Sequence, residues 1–153
     1  MSTELPTSPH GFTLVESESL ALARELAALE GRMKAWLMGR LSDEGFTTIS
    51  EAQLVFLGEL DCGVNHAAEL ARRLGISRQA IHKSVRDLSS LGLLETADHP
   101  ELGNQRIIRF TPEGERLMSR ARAHFAMLDK KLQSSMGANG LADLNATLAK
   151  LLN

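Results

Sequence analysis

Apolar positions along this chain fall into a series of helical stripes, interrupted once by a short stretch of β-branched residues. Thr13 with Glu16 resembles a capping box. A long helix is predicted from there to about Leu41, with Leu20, Leu22, Leu26, Leu29, Met33, Trp36, Leu37 and Leu41 spread over more than one face. A helix apolar on two sides is expected to be buried on two sides. Asp43–Thr48 reads as a loop. Ser50 and Gln53 make a second capping box ahead of Leu54, Phe56, Leu57 and Leu60, and Asn65 is predicted to cap the helix that follows.

The central pattern, Glu69 to Leu94, reads as two short helices joined by a tight turn. Leu70, Ala71 and Leu74 place an apolar face on the first helix. Gly75 can adopt the left-handed conformation that ends it, Ile76 is expected to plug the turn, and Ser77 is a natural N-cap. Ile81, Val85 and Leu88 then form a buried stripe, which leaves Ser77, Arg78, Gln79, His82, Lys83 and Arg86 facing outward. Gly92 ends the second helix. A hairpin is predicted next, from Leu93–Thr96 through a polar loop with Pro100, Gly103 and Asn104 to Ile107 and Ile108. Helix, glycine turn, helix and hairpin in this order describe a winged helix–turn–helix. Two short helices with a glycine turn also occur in proteins that never touch DNA; Ala71, four residues before Gly75, is the small residue that steeply crossing helices require.

Thr111 and Pro112 mark another helix start, a hydroxyl cap followed by proline at the first helical position. Leu117, Ala121, Phe125, Leu128 and Leu132 are its expected buried side. After a break at Met136–Gly140, a last stripe runs through Leu141, Leu144, Leu148, Leu151 and Leu152. The first and last helices carry more apolar surface than one small winged helix can cover, and each wet Å² costs about 25 cal/mol. A two-fold dimer interleaving these helices would cover it; the alternative is that they pack on each other within one chain.

Charge sharpens this picture. The 153 residues carry a net charge of −2, yet residues 1–64 balance to −6 while 65–110 and 111–153 each balance to +2. Between His66 and Arg86 five cations face one acid, Glu69. Positive charge is therefore concentrated where phosphates would be met. An apolar fraction of 43% can build a core, and no apolar run approaches the ~20 residues of a membrane span. The start of the chain lacks the pattern of a secretory signal, and the single Cys62 cannot form an internal disulfide; a cytoplasmic protein is expected. Asp61 beside Cys62 argues against a reactive thiolate. His10, His66, His82, His99 and His124 include no i, i+4 pair and no Cys/His cluster, so neither metal nor cofactor is expected. No phosphate-cradling glycine loop, nucleophile elbow or paired carboxylates suggest an enzyme.

Over roughly residues 13–152 the chain resembles the MarR family of bacterial transcription regulators. The residues that carry the resemblance are Ser50-Glu51-Ala52-Gln53 with Leu57 and Leu60; Glu69-Leu70-Ala71 with Leu74-Gly75-Ile76-Ser77; Leu88 with Leu91-Gly92-Leu93-Leu94; and Phe110-Thr111-Pro112-Glu113-Gly114. The wing departs from the pattern. Leu102, Gly103 and Asn104 stand where the family usually carries Asp-Arg-Arg, and Thr96 replaces a frequent arginine. In that family a wing arginine enters the minor groove, a role for which Arg106 is the candidate substitute here.

The fold expected is mainly α with a small β-hairpin wing: a flexible arm over 1–12, a helical dimerisation region over 13–42 and 112–153, and a DNA-binding lobe over 43–111. Candidate DNA contacts are Ser77, Arg78, Gln79, His82, Lys83, Arg86 and Arg106. Arg78 can pair with guanine and Gln79 with adenine, Lys83 and Arg86 can meet phosphates or a base edge, and His82 can do either. The expected partners are double-stranded DNA and a second copy of the chain, with no membrane. The resemblance further implies a repressor on a pseudo-palindromic operator, modulated by a small aromatic or amphipathic effector. Met33, Trp36, His124 and Met127 are candidates to line its cavity, beside the plainer account that they pack a core. The weak wing and acidic first helix keep a second function class open, a winged-helix protein-interaction module without specific DNA binding.

Overall fold

The computed structural model describes residues 5–103 and 105–151. Among these are six helices and one hairpin: α1 (Glu18–Asp43), α2 (Glu51–Gly58), α3 (Ala67–Leu74), α4 (Arg78–Ser90), β1 (Leu94–Asp98), β2 (Arg106–Phe110), α5 (Pro112–Met136) and α6 (Gly140–Leu151). This is the mainly helical architecture with a β-hairpin wing that the apolar pattern predicts. Asn104, at the expected wing tip, and Leu152, in the last leucine stripe, lie outside the described residues. The chain divides into two compact units between Trp36 and Leu37.

In the first unit Thr7 and Thr13 form an isolated antiparallel bridge around a turn. That pairing takes Thr13 out of the capping position expected for it. Helix α1 instead starts at Ser17, whose hydroxyl accepts the Leu20 N–H at 3.1 Å. Leu20, Leu22, Leu26 and Leu29 remain exposed within the chain, so the two-sided burial expected for this helix is not met by the chain alone.

The second unit holds the core, built around Leu41, Leu57, Leu70, Ile81, Leu88, Leu94, Ile107 and Leu117. Two caps form as their sequences require. Ser50 and Gln53 close a complete capping box on α2, with bonds of 3.2 and 2.8 Å. Thr111 Oγ1 accepts the Gly114 N–H at 3.1 Å and donates to the Gly92 carbonyl at 2.5 Å, which ties the start of α5 to the end of α4. Strands β1 and β2 pair antiparallel in the register Leu94↔Phe110, Thr96↔Ile108, Asp98↔Arg106.

Three local expectations are corrected, and one loop proves to be part of the core. Asn65 does not cap α3; His66 takes the cap position without a side-chain bond. Asn65 is buried and pairs with Ile108 on the free edge of β2, through N–H···O bonds of 3.0 and 2.8 Å. Its side-chain amide both accepts from Asp61 N–H and donates to Asp61 C=O, at 2.8 and 2.9 Å. Ile76 does not plug the turn after α3 and is 42% exposed. The turn closes through backbone instead, with Gly75 at φ 65° and the N–H groups of Gly75 and Ile76 both donating to the Ala71 carbonyl. The loop before α2 contributes to the core, because Phe46 and Ile49 are buried. On α5 the buried face runs Gly114, Leu117, Ala121, His124. Phe125, one residue and about 100° further round the helix, is 39% exposed.

Candidate nucleic-acid interface

Helix α4 is positioned by what it buries. Ile81, Val85 and Leu88 are at most 3% exposed, and Ser77 Oγ accepts the Ala80 N–H at 3.1 Å to start the helix. With that side fixed against the core, the 3.6-residue repeat leaves Ser77, Arg78, Gln79, His82, Lys83 and Arg86 exposed. All six lie on α4 or at its cap. The hydroxyl of Ser77 is engaged by the cap bond.

The wing brings a seventh residue to the same place. An open groove of about 520 Å³ lies between α4 and the hairpin, lined by Gln79, His82, Val85, Arg86, Thr96 and Arg106. Arg106 is thus on the shaft of the wing and faces α4, held by a 2.9 Å bond from Nη2 to Thr96 Oγ1. Thr96, noted in the sequence only for the arginine it replaces, is the residue that orients Arg106. Their spacing across the hairpin is the signal that points to this pairing.

The cations differ in what they are bonded to. Lys83 Nζ pairs with Asp87 Oδ2 at 2.7 Å, an i, i+4 contact visible in the sequence spacing. Arg109 pairs with Glu95 across the strands at 2.7 Å. Arg73 turns back to Asp61 at 3.7 Å and to the Glu59 carbonyl, so it braces the end of α2. The side chains of Arg78, Gln79, His82 and Arg86 make no hydrogen bond or ion pair among the described residues. A helix face with unpaired donors beside a groove holding another guanidinium is suited to an extended polyanion.

At the outer end of the wing, Leu102 is 50% exposed. Its N–H and that of Glu101 both donate to His99 Nδ1 at 3.1 Å. A separate cavity of about 290 Å³ is lined by Leu60, Cys62, Phe110, Met118 and Arg122 together with Glu115 and Ser119. Arg122 Nη2 donates to the exposed Cys62 sulfur at 3.6 Å. Met33, Trp36, His124 and Met127, suggested by the sequence for a cavity, do not line this one. Among the described residues no group of three or more His, Cys, Asp or Glu side chains could hold a metal ion, and no helix is long and apolar enough to cross a membrane.

Residues 63–102, spanning α3, its turn, α4 and β1, match the family model described as MarR family. No curated protein matches the sequence. Among solved structures, a mutant MarR from E. coli in complex with operator DNA is similar over 89% of this chain and 96% of its own, with 22% identity and a TM-score of 0.68. A MarR-like transcriptional regulator from Thermotoga maritima matches 90% of this chain and 96% of its own, with 16% identity and a TM-score of 0.70. BldR, a transcriptional regulator from Sulfolobus solfataricus, matches 88% and 94%, with 21% identity and a TM-score of 0.62. The helix–turn–helix segment of this chain thus carries the MarR-family match, and the chain as a whole has the fold of MarR-type transcriptional regulators.

Proposed function

We propose that this protein is a sequence-specific, double-stranded DNA-binding transcription regulator of MarR type. It acts in the cytoplasm as a homodimer, with each α4 reading one half of a pseudo-palindromic operator. The observation that carries this reading is the outer face of α4. Arg78, Gln79, His82 and Arg86 stand exposed opposite a buried aliphatic stripe, with Arg106 across the groove. Arg78 and Gln79 occupy the first turn, where side chains reach base edges when such a helix lies in the major groove. Lys83 has an acidic neighbour, but an exposed i, i+4 pair contributes only about 0.3–0.5 kcal/mol, less than a phosphate contact recovers. The solved complex of the similar E. coli MarR with operator DNA supports the same use of the fold.

Dimerisation is supported by apolar surface that the single chain leaves open. Helix α6 has no buried residue, and Phe125, Met127, Met136, Leu144 and Leu151 are exposed. Repression, relieved by a small amphipathic effector, completes the proposal; the cavity beside Arg122 offers apolar walls and one cation for such a molecule.

The test is binding of the full chain to DNA from upstream of its own coding sequence, followed at several salt concentrations. A preferred segment should bind with a steep salt slope. Arg78→Ala should lose about 1–3 kcal/mol of discrimination between that segment and scrambled DNA. Binding that is absent at low salt, or equal for every sequence, would instead favour a winged-helix module that docks on protein.

A further inference from the structure

The wing tip is held by a histidine. His99 Nδ1 accepts two backbone N–H groups, those of Glu101 and Leu102, each at 3.1 Å. The loop closes around this point, since Gln105 N–H donates to the Leu102 carbonyl and His99 N–H to the Gln105 carbonyl, both at 2.8 Å. A ring nitrogen that accepts must be unprotonated, so the imaginable neutral form here is the one with its proton on Nε2. The ring of His99 also stacks on that of His66 at the start of α3, with centroids 5.9 Å apart and planes 13° from parallel. One imidazole therefore links the tip of the wing to the helix–turn–helix.

We propose that His99 is a positioning residue for DNA binding. Its neutral ring fixes the wing tip, and its protonation releases the tip, so affinity falls on acidification through the wing rather than through α4. The inference rests on the DNA-binding function proposed above. Protonation at Nδ1 turns the acceptor into a donor and removes both tip bonds at once. If His66 is charged as well, two cations meet face to face. The other charged groups around the pair are Asp61, Glu69 and Arg73, which line the cleft beside His66, and Asp98, Glu101 and Arg106 in the wing itself. Arg73 is committed to Asp61 and Arg106 to Thr96. Whatever charges surround it, a protonated Nδ1 cannot accept these bonds.

The experiment compares full-length wild type, His99→Asn and His99→Ala on the same upstream duplex at constant ionic strength, between about pH 7.5 and about pH 5.5, the range in which histidines commonly titrate. Asparagine offers an uncharged acceptor oxygen near the position of Nδ1. Wild type and His99→Asn should bind equally within about twofold at the upper pH, with His99→Asn on the order of fivefold tighter at the lower. His99→Ala should bind more weakly than both at the upper pH. The readout is the ratio of the two affinities at each pH. A ratio that stays constant across the range overturns the inference even though DNA is bound. If wild type shows no sequence preference at the upper pH, the DNA-binding function itself fails and this role of His99 falls with it. In the free protein, nitrogen-15 correlations should show His99 protonated on Nε2, with the Glu101 and Leu102 amides losing exchange protection on acidification in wild type but not in His99→Asn. A ring protonated on Nδ1 at the upper pH overturns the clamp independently of DNA.

Discussion

A methyl group on Gly114 would come within 2.0 Å of the Leu93 carbonyl oxygen, so α5 can begin against the wing only because this side chain is a hydrogen. Gly114→Ala should therefore cost about 3 kcal/mol in chemical denaturation, at the upper end for overpacking a closed site. A loss below about 0.5 kcal/mol would mean that the helix start moves freely, contrary to its two bonds through Thr111. The caps at Ser50, Ser77 and Thr111 were legible in the sequence because each cap bond closes within three residues. Asn65 was not legible. Its residue type suggests a cap equally well, and the choice was made by Ile108, 43 residues away. Ile76 shows the same limit, since an apolar residue in a turn can be covered or left wet, and only the approach of other elements decides.

Helix α5 is joined to the loop after α1 by charge as well as by packing. Glu44 accepts two bonds from Arg120 at 2.6 and 2.5 Å and one from the buried His124 at 2.9 Å. The Arg120 bonds, chiefly, hold the Glu44 carboxyl down at about 2, against 4.5 for an ordinary glutamate. Its ionised form is thus favoured by folding, and this contribution is complete above about pH 4.5 and is lost as pH falls from there to about 2. Glu44→Gln should remove that part of the acid limb of the stability curve, measured by denaturant midpoints across this interval; an unchanged limb would show that other carboxylates carry it. Nearby, Arg116 lies 4.3 Å from the Phe46 ring centroid and is bonded to Glu113 at 2.6 and 2.8 Å. The Glu113–Arg116 pair is the i, i+3 contact that helical periodicity predicts, whereas the bonds to Glu44 and the contact with Phe46 do not follow from it. His124 entered the sequence argument only among the histidines weighed for a metal and as one candidate for a cavity, and Glu44 sat in what read as a loop.

For the molecule as a whole, the proposed dimer has to cover α6. Every residue of this helix is at least partly exposed in the single chain, including Leu144 and Leu151. Under the proposed dimer, Leu144→Glu combined with Leu151→Glu should shift the full-length protein toward monomer in sedimentation, because two charges would be buried without partners. Unchanged mass at equal protein concentration would remove α6 from the interface. The same variant should weaken DNA binding steeply, since two half-sites about one helical turn apart need both copies of α4.

The order of elements, the buried stripe of α4 and the outward row from Arg78 to Arg86 were determined by the sequence alone. Each depends on contacts within a few residues and on a repeat that the amino-acid pattern displays directly. The tertiary structure decided the rest. It set Arg106 on the wing shaft against α4, made Asn65 a brace for β2, buried His124 beside Glu44 in place of Phe125, and closed the wing tip on His99. Those outcomes join residues far apart in the chain, and the pattern along the chain carries no record of which distant groups will meet. Folding brings the partners together, and only then does a polar side chain acquire its role.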